Sequence, residues 1–494
     1  VLVSFVHSHH AAPIQFLSFH WPWHLFGKAL PRICNIVSSS PCYYADEVPV
    51  MNMATSLVCD LCLSRMGSRN SFHTPCHLRA ALQTLVDEIR SHPRCGGQLK
   101  MSPYELTRRG LASRLLLCCN KKNCRRKTWW TSAKVNTLFT HAFFTSGMLQ
   151  VQLERFLSSA NMPFTKSFLD NNSTAAYASS VAAVAEQSCS AALREEKADE
   201  HSIGVLTDAR HGWRKNAKQT DVVCIGMRTK KVLTVQMVTK SDDPVAQRHE
   251  KIGTARIYKH LEQHSPIGVH CHDNNSSITK WVREQRPNTR NQLDSWHAVK
   301  SFTTLIDGVS KGPKYKHGVT WHWELEDKVS AMKTHCHHAL RESNGDPAQL
   351  KAILINAVRH YQGQHNNCHK QSRCQTQGNY EPSKVPLSDV SAKLLTDAIN
   401  KSHLMKHPEL YCDNISTAHV ESFNATLNIF QDKRIVFTDV SYRMRTELAI
   451  IHWNENVGRP AYTEKVVRGK KEKALTRPSY EYREKLLTHF VHHA

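Results

Sequence analysis

The stretch Ile203-Gly204-Val205-Leu206-Thr207-Asp208 decides how the chain is read. Its apolar run predicts a short buried strand, and the strand closes on a carboxylate. Residues 221–227 and 232–238 have the same character, with 228–231 as the turn between them. A helical spacing over 246–263 leads into residues 267–272, a further apolar run that again ends on an acid, Asp273. Strands alternating with helix predict an α/β layer. Residues 308–410 then turn helical, and the chain returns with two helices. One runs to Phe430 and carries Glu421, and the other spans about 442–453.

Outward from this layer the composition sets bounds. The 494 residues carry a formal net charge of +23 and are 40% hydrophobic, enough for a sizeable core and several folding units. Such a positive excess favours phosphate backbones, so nucleic acid is the expected partner. No apolar stretch approaches the roughly 20 residues of a spanning helix, so a soluble protein with no membrane partner is expected. Residues 1–50 start at Val1, lack the pattern of a signal peptide and precede the first methionines, Met51 and Met53. They are expected to be a disordered or spurious extension. Residues 131–200 have helical spacing and read as a connector, broken near Asn171-Asn172. Residues 459–494 read as a basic tail.

Asp208, Asp273 and Glu421 suit one kind of chemistry. Transfer of a phosphodiester requires an activated attacking oxygen and a neutralised leaving oxygen, and two Mg²⁺ ions about 4 Å apart do both when carboxylates hold them. A strand end is a rigid place from which to aim a ligand. On the helix bearing Glu421, an apolar side of Val420, Phe423, Leu427 and Phe430 leaves Asn424 and Asn428 on the acid's own polar face. A single strand-ending Asp is more often an ordinary surface residue. Asp221 and Asp294 compete for the same roles.

The words around these acids resemble a known family. Thr207-Asp208-Ala209-Arg210-His211-Gly212-Trp213, the Lys231-Val232-Leu233 strand, His272-Asp273-Asn274-Asn275, Asp294-Ser295-Trp296-His297 and His419-Val420-Glu421-Ser422-Phe423-Asn424 are similar to the core of Mutator-like DDE transposases. The resemblance covers roughly residues 201–459 and is weakest through the helical insertion. It implies a ribonuclease-H-like mixed sheet with flanking helices, its first part over 201–307 and its C-terminal helices over 411–458, interrupted by the insertion at 308–410. It implies Asp208, Asp273 and Glu421 as the acids that bind Mg²⁺ or Mn²⁺, with Asp294 and His297 as accessory active-site residues. The implied activity is cutting and joining DNA strands, by a homo-oligomer in the DNA complex. A domesticated, non-catalytic DNA-binding protein of the same fold and a stand-alone nuclease are the alternatives.

Sixteen cysteines, many beside histidine, predict structural zinc in a reducing compartment rather than disulfides. Residues 51–130 are expected to form a small zinc-binding, DNA-binding module. One grouping there is Cys59 and Cys62 with His73 and Cys76. The other is His92 and Cys95 with Cys118 or Cys119 and Cys124, where Gly96-Gly97 gives a tight turn and residues 113–117 a strand. In the insertion, Cys336 and His338 are followed by His360, His365, Cys368 and Cys374, and Gly363 breaks the helix between the two later histidines. A solvent-facing His-rich helix is the competing reading, and it claims His335 and His337.

Lys121, Lys122, Arg125, Arg126 and Lys127 lie beside Trp129 and Trp130, a mixture suited to backbone contact with stacking. Lys311, Lys314, Lys316 and residues 465–477 add further charge. The last of these reads as a nuclear localisation signal, so the nucleus is the expected compartment.

Overall fold

The computed structural model describes residues 95–109, 112–121, 124, 127–131, 135–159, 171–198, 200–212, 217–467, 470–475 and 477–493. The extension expected over 1–50, the candidate ligands Cys59, Cys62 and His92, and the basic residues Lys122, Arg125 and Arg126 lie outside these. Two compact units divide the chain, Val1–Ser132 and Ala133–Ala494. In the first, β1 (Leu99–Arg109), β2 (Ala112–Cys119) and β3 (Lys127–Thr131) form an antiparallel sheet in sequential order. The strand expected at 113–117 lies within β2.

The second unit is α/β. After α1 (Val135–Thr145), α2 (Gln150–Ser159) and α3 (Asn171–Lys197) come β4 (Ile203–His211), β5 (Gln219–Gly226) and β6 (Val232–Thr239). Then follow α4 (His249–Leu261), β7 (Ile267–His272), α5 (Ser276–Gln285), β8 (Arg290–Leu293) and α6 (Ser295–Ser310). The five strands form one mixed sheet in the order β6-β5-β4-β7-β8. β4, β5 and β6 pair antiparallel, whereas β7 pairs parallel with both β4 and β8.

Period-two alternation assigns the faces. Leu206, Val223, Ile225 and Cys271 pack on one side in a core with α3, α10 (Ala418–Phe430) and α11 (Asp439–Asn456), while Val205, Val222 and Cys224 pack on the other with Ile257 and Leu261 of α4 and Ile278 of α5. Every residue of β5 is buried, as expected for a strand covered on both faces. β8 has no apolar run to announce it. It forms because Val269 to His272 offer a free parallel edge, and Leu293 is its inward anchor.

The insertion has its own apolar core. Phe302 and Ile306 of α6 pack there with α7 (Val329–Glu342), α8 (Pro347–Tyr361) and α9 (Asp389–Lys401) through Met332, Cys336, Leu354 and Leu395. Asp346 caps α8 by accepting from Ala348 N, and Pro347 sits in the first turn where a missing N–H costs nothing.

Two segments lie closer to the sheet than their composition suggests. The 131–200 region, expected as a connector, supplies α3, whose Tyr177 and Val181 are buried in the same core as Leu206. The 459–494 region, expected as a basic tail, forms the hairpin β9 (Ala461–Val467) and β10 (Lys470–Leu475) and then α12 (Glu481–His493). Tyr482, Leu486 and Phe490 of α12 enter that core too. Leu486 is fully buried, so Leu486→Ala is expected to destabilise the second unit by about 3 kcal/mol in urea unfolding. A change below about 0.5 kcal/mol would mean that α12 is not part of this core.

Candidate functional site

Register brings the first two acids together. β4 and β7 run parallel with Leu206 opposite Cys271, so two residues further on Asp208 stands beside Asp273; β4 does not close on its acid, as the sequence suggests, but runs on to His211, whereas Asp273 directly follows the end of β7. Leu206 and Cys271 both face the α10 side, and period two gives the acids that same side. Helix α10 lies over them. Its Val420, Phe423, Leu427 and Phe430 are buried against the sheet, which leaves Glu421, Asn424 and Asn428 along one edge.

Side chains then lock strand to helix. Asn424 Nδ2 donates to Asp208 Oδ2 at 3.0 Å, and Arg210, two residues along β4, donates to Asn428 Oδ1 and to the Gln431 carbonyl, both at 2.8 Å. A further bond joins Arg210 to the Gln431 side chain. Asp208 Oδ1 also accepts from Ala209 N at 2.7 Å.

His297 connects the remaining acids. Its Nδ1 is 2.8 Å from Asp294 Oδ2 and 3.5 Å from Asp273 Oδ1, and its Nε2 is 4.0 Å from Glu421 Oε1. Asp294 ends β8 and caps α6, with Oδ1 accepting from Trp296 N at 2.7 Å. Oδ2 also accepts from Thr417 Oγ1, at 2.7 Å, immediately before α10. The Asp294 side chain is only 1% exposed and both its oxygens are committed to protein donors, so its geometry is that of an orienting group. Asp273 differs: its Oδ1 is buried and accepts no hydrogen bond, while the side chain as a whole is 38% exposed. One oxygen from each of Asp273 and Asp294 lies within 4.8 Å of a His297 ring nitrogen, a spacing that could hold a metal ion.

Electrostatics reflect the crowding. Burial, then the charges of Asp273, Glu250 and Glu421, push the Asp208 carboxyl up to about 7 against the bond from Ala209 N. Asp273 is also raised, first by burial and then by Asp294 and Glu421, although His297 opposes the shift. Burial alone would lower His297. The Asp294 hydrogen bond and the charges of Asp273, Asp294 and Glu421 outweigh it, and the imidazole is raised, favouring the cation.

Glu250, at the start of α4, belongs to this cluster and was missed in the sequence. Burial and the Asp273 charge raise it, and it accepts from Asn275 Nδ2 at 2.8 Å. It follows no strand and sits in a charged stretch, so neither pattern nor spacing marks it. Thr417 was missed as well. Asp221, a competitor by sequence, is instead fully buried in mid-sheet opposite Arg210, bonded to Thr446 Oγ1 at 3.1 Å. It is a buried core acid.

Cysteine and histidine form two clusters among the described residues. In the first unit Cys95, Cys119 and Cys124 place their sulfurs within 4.8 Å of one another. Cys95 and Cys119 are 3.6 Å apart, beyond the roughly 2.05 Å of a disulfide. Gly97 permits this approach, because a Cβ there would meet Cys119 Sγ at 2.5 Å. Lys121 Nζ donates to Cys95 O at 2.8 Å from an exposed position, and Lys127 is the first residue of β3.

The second cluster joins His360, His365, Cys368 and Cys374. Cys336 and His338, expected with them, do not take part. Cys336 is fully buried beside Met332, Ala339 and Leu340 on the apolar side of α7, an ordinary core thiol. His338 instead stands 4.0 Å from Glu342 and packs edge-on to His369.

No helix among the described residues is long and apolar enough to cross a membrane. No curated protein matches the chain. A family model, Mutator-like transposase, matches residues 76–254 and 244–374, which takes in Asp208, Asp273, Asp294, His297 and the second Cys/His cluster and stops short of Glu421. That match spans more than half of the 494 residues, and the chain belongs to the Mutator-like transposase family of DNA-transposing enzymes.

Proposed function

We propose that this chain cuts and joins double-stranded DNA by metal-dependent phosphoryl transfer, with Asp208, Asp273 and Glu421 holding Mg²⁺ or Mn²⁺ on a ribonuclease-H-like sheet. The observation that carries the reading is a set of side-chain links: Asn424 of α10 bonds Asp208 of β4, and His297 stands 3.5 Å from Asp273 and 4.0 Å from Glu421. Three antiparallel strands followed by two parallel ones, with helices on both faces, support the fold.

The residues present suit a hard cation. A buried Asp273 oxygen 3.5 Å from His297 Nδ1, a carboxyl at Asp208 raised to about 7 and the open carboxylate of Glu421 are oxygen donors whose mutual repulsion a positive charge offsets. Divalent cations bound there would activate the attacking oxygen and neutralise the leaving one. Asn424 aims Asp208. Asp294 accepts from His297 Nδ1 and so leaves Nε2 to point past Glu421, where the raised imidazole can donate a proton to a phosphate oxygen or a departing hydroxyl.

The DNA is held by charge. A net +23 supports backbone binding, and Lys121, Lys122, Arg125, Arg126 and Lys127 are the contacts we assign in the first unit. The trio Cys95, Cys119 and Cys124, with His92 as fourth ligand, would hold a structural zinc there. Residues 465–477 would direct the protein to the nucleus, and a homo-oligomer would pair two transposon ends.

A strand-transfer assay with a terminal-repeat substrate and Mg²⁺ or Mn²⁺ tests the reading, comparing wild type with Asp273→Asn. Joined products should form with the wild type and fall at least about 100-fold in the variant. Equal joining by both would remove Asp273 from the mechanism, and nicks without joined products would favour a nuclease.

A further inference from the structure

We infer that the helical insertion carries a closed, structural Zn²⁺ site built by His360, His365, Cys368 and Cys374, and that this ion fastens the long segment after α8 to the rest of the insertion. Its ligands are shared neither with the acidic site nor with the cysteines of the first unit.

Geometry is the first argument. His360 Nδ1 lies 3.1 Å from His365 Nδ1 and 3.4 Å from Cys368 Sγ, and Cys368 Sγ is 3.8 Å from His365 Nδ1. A tetrahedral zinc with Zn–N near 2.0–2.1 Å and Zn–S near 2.3 Å has edges of about 3.3–3.8 Å, so these separations match a ready ligand shell. Cys374 brings a second sulfur within 4.8 Å of the other three ligand atoms. Two imidazoles and two thiolates fill all four positions. A shell made wholly of protein leaves no place for substrate, and the role is therefore structural.

Packing is the second, independent argument. No residue between 362 and 380 is buried, and the side chains that turn partly inward are Gln362, His365, Cys368, Ser372, Cys374 and Tyr380. An apolar core does not secure a segment of that length, yet its inward positions include three of the four ligands. The backbone is shaped to deliver them. Gly363 takes φ +81 directly after α8, a left-handed turn that folds the chain back over His360, and a short helical turn at Arg373–Thr376 presents Cys374. Around the ligands, Asn356 Nδ2 lies 3.8 Å from Cys368 Sγ and donates to Asn367 O at 3.1 Å, while Tyr380 packs edge-on to His365. Such outer contacts orient ligands.

Binding displaces the two thiol protons to solvent and leaves a site of zero net charge, two thiolates against one dication. Zinc content of the full-length chain, measured by atomic emission, tests the assignment. Cys368→Ser and Cys374→Ser should each lower it by one ion per chain, whereas His369→Ala, a neighbouring histidine outside the shell, should leave it unchanged. Cobalt in place of zinc keeps the test decisive should the variants fold poorly. With the wild-type chain it should give tetrahedral visible bands and a thiolate charge-transfer band that persist when Cys95, Cys119 and Cys124 are all replaced by Ser. Chelation should then open residues 362–380 to protease while the circular dichroism of the helices is largely kept. Zinc content unaltered in a folded Cys368→Ser chain, or cobalt bands lost with the first-unit cysteines, would overturn the proposal and leave the acidic site untouched.

Discussion

Asp208→Asn is expected to cut strand transfer by on the order of 10³-fold while making the metal-free protein more stable above neutral pH. The two effects have one cause. Burial and the neighbouring acids raise the Asp208 carboxyl from 3.8 to about 7, so ionising it in the folded state is unfavourable unless a cation is bound. A group whose folded pKa is raised contributes stability that is fully present below the unfolded value, near 4, and lost as pH rises through the folded value, near 7. Removal of the titrating group recovers that loss. A shift of about three units corresponds to about 4 kcal/mol, and partial exposure and shared repulsion with Asp273 reduce it to about 2–3 kcal/mol. Asn can still accept from Ala209 N, and its NH2 can donate to Asn424 once that amide turns its unpartnered oxygen inward, so the link from β4 to α10 is kept. Thermal unfolding in chelator at pH 8 and pH 4 checks the sign. The variant should melt several degrees above wild type at pH 8 and close to it at pH 4, and a variant that melts lower at pH 8 would show that the acids do not repel each other as placed.

How far the sequence revealed this depends on which force places each residue. Strands β4 to β7 were legible because each carries an apolar run for the sheet's cores, buried along its whole length in β5, and Glu421 because the apolar stripe of α10 leaves it and Asn424 on one polar edge. β8 was hidden, since Arg290-Asn291-Gln292-Leu293 is recruited by an open strand edge and carries little pattern of its own. α12 was hidden by its charge, although Tyr482, Leu486 and Phe490 recur at four-residue spacing and enter the core. Cys336 misled because a thiol serves equally as ligand and as small core residue. Its helical companions Met332, Ala339 and Leu340 were the available sign that it faced inward. Glu250 could not have been found by spacing, because only the fold carries the start of α4 to Asp208 and Asp273. Asp294 was singled out together with His297, and only the structure shows both its oxygens taken by protein donors.

That last placement gives the second large effect. Asp294→Ala should destabilise the second unit by about 3 kcal/mol, the sum of a lost helix cap and a buried Thr417 hydroxyl left without its acceptor. It should also reduce strand transfer by about 10- to 100-fold, because His297 loses the partner that fixes its ring. Stability alone cannot separate these roles, and Asp294→Asn does. Asn remains a good cap whose one oxygen still accepts from Trp296 N, and its NH2, standing in place of Oδ2, donates to the Thr417 hydroxyl instead of accepting from it, so unfolding should change by no more than about 1 kcal/mol. What it removes is charge beside the imidazole. The Asp294 bond and charge help to raise His297, so in the folded Asn variant the imidazole should lose its proton at lower pH than in wild type. If protonated His297 donates during strand transfer, the alkaline limb of the pH profile must move to lower pH by a comparable amount. His297→Gln should flatten that limb altogether. A folded Asp294→Asn protein with wild-type rate and an unmoved limb would confine Asp294 to capping α6, and would leave Asp208, Asp273 and Glu421 to act without the histidine.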